Sequence, residues 1–185
     1  AMAKIMADEG RQVVALVDGD SQGAATKKRI EQVNGSLSEG QPKIEVVALA
    51  KNKSIEDYAL YPDVLKEAVV KAAEELVNGN IRKLRDGVVV DKLPDLLAAA
   101  IKARKDQTLG KVFQETSKGW FEGDGDGISK LQISRIYDDS VEALPEPVPA
   151  PAKGDLNPTR DLLIELHKRL KLPEKMAPEV IVEKI

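Results

Sequence analysis

Val13-Val14-Ala15-Leu16-Val17-Asp18-Gly19-Asp20-Ser21-Gln22-Gly23 is the stretch on which the fold turns. Its first five residues form a continuous, largely β-branched apolar run, the composition of a strand buried on both faces of a parallel sheet. The run stops at Asp18-Gly19-Asp20. From Ala24 to Val33 the periodicity is helical, with Ile30 and Val33 on one face and Lys27, Lys28 and Arg29 mostly on the other. Asn34-Gly35 closes that helix. A second apolar strand follows at Ile44-Glu45-Val46-Val47-Ala48-Leu49. Strand, helix and strand within about 40 residues make a βαβ unit, whose crossover is right-handed in nearly all cases. The fold class expected is α/β, a parallel sheet flanked by helices.

Working outward, Met2, Ile5 and Met6 read as the last turns of a helix ended by Gly10. A domain that opens on a helix end and passes at once to its catalytic strand is expected to lack its first strand. After Ala50 the character changes. Ser54–Leu60, Pro62–Val77, Ile81–Arg85, Pro94–Arg104, Leu109–Lys118 and Ile128–Leu144 all read as helices, with Val88-Val89-Val90 as a third-strand candidate. Pro62 and Pro94 suit first helical turns. Pro145, Pro147, Pro149 and Pro151 alternate with other residues, the pattern of a polyproline-II-like linker. Beyond it an amphipathic helix opens at Asn157 and runs to Leu172, with a stripe of Leu162, Leu163, Leu166 and Leu170. The expected organisation is a main domain at 1–144 with an added helical region, a linker at 145–154 and a helical tail at 155–185. No internal repeat is visible.

Composition narrows the chemistry. The 185 residues are 42% hydrophobic and 32% charged, enough for a core and unlike a disordered chain. Lys+Arg total 28 against 31 Asp+Glu, so the net charge of -3 argues against a globally basic nucleic-acid wrapper while leaving room for a local basic face. The absence of Cys removes disulfide scaffolds, cysteine nucleophiles and thiolate metal sites, and fits a cytoplasmic protein. A single His167 leaves little for a histidine zinc centre or a Ser-His-Asp triad. No apolar run reaches the ~18 residues that span a bilayer, and no membrane partner is expected. Ala1-Met2-Ala3-Lys4 has no signal-peptide layout. Aromatics at 3% argue against base-stacking platforms. What remains is carboxylate and lysine chemistry.

Asp18 and Asp20 stand at the carboxyl end of the first strand, where open α/β sheets bind ligands. With Gly19 between them both can turn toward one point and offer hard oxygens to Mg²⁺ or Mn²⁺. The plainer reading is a turn with an Asp cap. Ser54-Ile55-Glu56-Asp57-Tyr58 follows the second strand. If the strands are parallel neighbours, Glu56 or Asp57 reaches the same edge; the plainer reading is Ser54 as helix cap with Asp57 three residues on. Glu122–Gly127 suggests a calcium loop, but its twelfth position falls on Ile133 where a bidentate Glu is needed. Arg82, Lys83, Arg85, Lys92, Lys102, Arg104 and Lys105 form either solvated helix faces or a DNA-tracking surface. His167 is expected to face solvent, and Trp120-Phe121 to anchor packing.

The pieces VVALVDGDSQG (13–23) and SIEDYALYPDVLKEAV (54–69) resemble the Toprim nuclease domain of the OLD (overcoming lysogenization defect) family, over roughly residues 1–140. The resemblance implies a Toprim-like fold in the C-terminal part of a protein that also carries an ATPase domain. It makes Asp18 and Asp20 the DxD metal ligands and Glu56 the acidic ligand of a second ion, with two Mg²⁺ or Mn²⁺ as cofactors. It makes Lys130, in Ile128–Ser134, the catalytic lysine, with Lys118 as the fallback. DNA is the implied substrate and a homodimer the implied assembly. Two features depart from the pattern. Toprim domains carry a glutamate on a strand before the DxD, and Glu9 does not match it. No G-x-x-x-x-G-K-[ST] is present, since Gly110-Lys111 lacks the flanking residues. The rival enzyme class is a haloacid-dehalogenase-like phosphatase, whose Asp-x-Asp-x-[Thr/Val] pattern is broken by Gln22. The non-catalytic rival is a Mg-binding α/β module.

Overall fold

The computed structural model describes residues 2–145 and 153–171. Most of the Pro-rich linker and the end of the tail lie outside the described residues. By contacts the chain divides into two compact units, residues 1–58 with 156–185, and residues 59–155. The sequence reading had drawn its boundary at 144.

The first unit holds α1 (Met2–Asp8), β1 (Val14–Val17), α2 (Ser21–Asn34) and β2 (Glu45–Ala48), followed by a 3-10 turn at Ile55–Tyr58. β1 and β2 pair in parallel, with Val14 opposite Glu45 and Val17 opposite Ala48, so both carboxyl ends reach the same edge. Side chains fix the crossover at each end. Asp20 caps α2 at its start. At its finish the Asn34 amide accepts from Ile44 N at 2.8 Å and donates to Ile44 O at 2.9 Å, tying the helix end to the approach of β2. Gly10 ends α1 in the left-handed region at φ +78°. Ala7, Val17, Ile44, Val47 and Leu49 are the unit's buried apolar residues. Val14, Ala15 and Leu16 are only half-buried, short of the doubly covered strand the sequence suggests. Among the described residues the sheet has two strands, so each is paired along one side alone.

The tail helix α7 spans Lys153–Leu170, starting before the expected Asn157, and Pro158 lies inside it. From Leu156 on it belongs to the first unit. Thr159 Oγ1 donates to Tyr58 O at 2.6 Å. Arg169 reaches Glu45 at 3.3 Å and Glu165 at 2.6 Å, and the Gln12 amide donates to Arg169 O. His167 is half-buried on this helix, so it is not the fully solvent-facing residue expected.

The second unit is helical: α3 (Pro62–Asn78), α4 (Leu93–Ala103), α5 (Leu109–Trp120) and α6 (Lys130–Glu142), with a 3-10 turn at Val90–Lys92. Both expected prolines, Pro62 and Pro94, sit in first turns. α3 packs on α6 and α4 on α5, around a core that includes Leu65, Val69, Leu93, Leu97, Phe113, Phe121, Ile133 and Ile136. Trp120 and Phe121 anchor this packing, and Arg82 lies 4.4 Å over the Phe121 ring. Two expected elements do not form. Ile81–Arg85 is not helical: Leu84 bridges Phe121 antiparallel, with Arg85 N donating to Trp120 O at 2.8 Å and Glu122 N to Lys83 O at 2.9 Å. Val88–Val90 is not a strand, because the turn at Gly87 (φ +83°) delivers it into the 3-10 turn with no neighbour to pair. Among the described residues no helix is long and apolar enough to cross a membrane.

Candidate functional site

Two loops leave the shared carboxyl edge of β1 and β2, Asp18–Asp20 and Ala50–Ser54. Their backbones are locked together: Gly19 N donates to Lys53 O at 2.7 Å, and Asn52 N to Gly19 O at 2.8 Å. The approach is so close that a Cβ on Gly19 would lie 1.8 Å from Ala50 O. Gly23 is constrained in the same way, since its Cβ would fall 1.8 Å from Asp18 O. Only glycine allows the first turn of α2 to press against the acidic turn. Asn52 completes the second loop in the left-handed region at φ +60°, a conformation asparagine tolerates better than most residues.

The acids on these loops have different duties. Asp20 Oδ1 accepts from Gly23 N at 2.9 Å, so the capping role is real and Oδ2 is the remaining donor atom. Asp18 is half-buried in the turn. Asp57 closes a reciprocal cap: its carboxylate accepts from Ser54 N at 3.0 Å and its own N donates to Ser54 O at 2.9 Å. Lys53 pairs with it at 3.2 Å, and the carboxylate is only 2% exposed. Of the two acids in the Ile55–Tyr58 turn, Glu56 is the one outside this cap. It is half-buried with Oε2 shielded from solvent.

Carboxylate oxygens at a sheet edge suit Mg²⁺ or Mn²⁺, so the donor chemistry fits the implied ions. The loops bring Asp18, Asp20 and the approach to Glu56 to one edge. They stop short of a finished cage: among the described residues no three carboxylates or histidines are gathered closely enough to hold a metal ion.

The two lysine alternatives, Lys130 and Lys118, meet in the second unit. Both line one cleft of about 450 Å³, with Gln114, Glu115, Asp126 and Ser129. Spacing along the chain gave no sign of this, because the meeting depends on how the glycine-rich loop folds back. That loop is pinned near both ends: the Glu122 carboxylate pairs with Lys83 at 2.8 Å, and Arg82 donates to the backbone carbonyl of Asp126.

The fold and its edge define a class: an α/β protein with one parallel βαβ unit, acidic loops at the carboxyl ends of its strands, and a helical unit inserted in the chain. No protein-family model, no curated protein and no solved structure matches the chain.

Proposed function

We propose that this chain is a metal-dependent DNA endonuclease domain of the Toprim type, the C-terminal part of an OLD-family ATPase-nuclease. The observation that carries the reading is the locking of the Asp18–Asp20 turn to the loop that leads to Glu56. The contact holds the acidic turn and the second loop at one edge of the sheet. In this reading Asp18, Asp20 and Glu56 hold two Mg²⁺ or Mn²⁺ ions. When bound, such ions activate water and stabilise the leaving oxygen in phosphodiester hydrolysis. Unneutralised, the same carboxylates would repel a phosphodiester brought to this edge. Lys130, which lies in the second unit, is the catalytic lysine only as the family resemblance implies it. The reading further implies an ATPase domain in the same protein, a homodimer and a cytoplasmic setting.

The test is nicking of supercoiled plasmid by the full-length protein with Mg²⁺ or Mn²⁺. Asp18→Ala, Asp20→Ala and Glu56→Ala are each expected to abolish it. Full activity in Asp18→Ala overturns the assignment. One observation favours a second reading, the Asp20 cap on α2. If DGD only caps, Mg²⁺ leaves thermal stability unchanged; if it stabilises without nicking, the chain is a metal-binding module.

A further inference from the structure

We propose that the groove between α3 and α4 is the docking site for a basic amphipathic helix of a partner protein. The inference is independent of the nuclease reading, since every residue it uses lies in the second unit.

α3 and α4 leave between them a cavity of about 610 Å³ with an apolar floor. Val70 and Leu97 reach it from the core of the unit, and the exposed Pro94 and Ala98 continue it to the surface. Along the α3 wall stand Asp63, Glu67, Val70 and Glu74, whose spacing of four, three and four places them on one stripe of the helix. At about 1.5 Å per residue that stripe is roughly 16 Å long, or three helical turns.

The charges on this wall are unequally engaged. Lys66 donates to Asp63 at 2.7 Å, and Lys71 donates to Ser140 Oγ on α6 at 3.4 Å. Among the described residues Glu67 and Glu74 have no hydrogen-bonded or ionic partner. They flank Val70 and lie about 10 Å apart along α3. Three carboxylates and two ammonium groups line the groove, and the two carboxylates without partners border its apolar floor. The complementary surface is apolar at its centre and positive at its sides.

Backbone chemistry selects the conformation of the occupant. The N–H and C=O groups of both walls are bonded within their own helices, so the groove offers no edge for an extended peptide to pair with. A helix satisfies its own backbone. Apolar residues at i, i+3, i+4 and i+7 would cover Val70, Pro94, Leu97 and Ala98, with Lys or Arg beside Glu67 and Glu74.

The probe is a labelled synthetic peptide of about 14 residues with leucines on that stripe and flanking lysines, long enough for the three turns. It is titrated against the full chain by fluorescence anisotropy. Glu67→Gln and Glu74→Gln are each expected to weaken binding about threefold, within the range of one exposed ion pair, and the double variant about tenfold. Ala98→Arg puts a long cationic side chain into the groove and is expected to weaken binding about tenfold or more. Glu31→Gln, in the first unit, controls for general attraction to an acidic protein and is expected to leave affinity unchanged. None of the altered side chains is buried, and unchanged Trp120 fluorescence verifies folding. Equal binding of a scrambled peptide of the same composition, or losses no larger than that of Glu31→Gln, overturns the proposal. Undiminished binding of a peptide with a central proline makes the occupant an extended chain and overturns it as well. Self-association of the protein that Ala98→Arg abolishes gives the groove to a second copy instead, which also overturns it.

Discussion

A methyl group on Gly19 would sit 1.8 Å from Ala50 O, and both neighbours in that contact are backbone, which cannot swing aside. Gly19→Ala is therefore expected to destabilise the protein by about 3 kcal/mol or more, read as a lower urea midpoint by circular dichroism. Asp20 separates two roles by substitution. Asp20→Ala loses the cap and about 1 kcal/mol, whereas Asp20→Asn keeps a capping oxygen and the apo stability. Both variants lose stabilisation by Mg²⁺ if the carboxylate binds it. An Asp20→Asn protein that still gains stability from Mg²⁺ removes Asp20 from the ligand set. The contact that demands glycine at 23 is local, since Asp18 O lies within the same strand-to-helix turn. The contact at 19 is not: the atom it must avoid comes from the far side of the crossover. The same holds for Ser117, an ordinary helix residue in the sequence whose hydroxyl satisfies a buried N–H.

The elements that the sequence disclosed are those whose pattern is local. β1, α2 and β2 form within a residue or a few of their expected bounds, because each is a self-contained apolar run or helical period. The segments at 81–85 and 88–90 were misread because their conformation is set by Phe121 and by the Gly87 turn, not by their own composition. α6 carries a consequence of such packing. The Tyr137 hydroxyl accepts from Tyr61 N at 3.3 Å, and burial, the dominant influence, pushes the phenol above its usual 10.0. The neutral form is favoured in the folded state, so this stabilisation is fully present below pH 10.0 and is lost as the pH climbs through the raised value. Urea unfolding on the alkaline side is expected to show a stability decline that Tyr137→Phe reduces. A decline of equal size in the two proteins assigns it to other groups.

Across the whole molecule, the chain builds its first unit from both ends and its second from the middle. The return of α7 to the first unit was hidden from the sequence, since its ties to Glu45, Gln12 and Tyr58 join residues more than a hundred positions apart. This division gives the metal assignment a test that needs no substrate. The candidate ligands Asp18, Asp20 and Glu56 all lie in the first unit, while the single tryptophan, Trp120, lies in the second. A ligand held by one folded unit stabilises that unit, by about 2.7 kcal/mol at a concentration a hundredfold above its Kd. Mg²⁺ is therefore expected to slow tryptic cleavage at the exposed Lys27, Lys28 and Arg29 of α2 while leaving the denaturation midpoint of Trp120 fluorescence in place. If the Trp120 midpoint rises and cleavage of α2 does not slow, the ion is bound by the second unit. The acids at the sheet edge would then keep only the helix cap and the loop contacts that the structure already gives them.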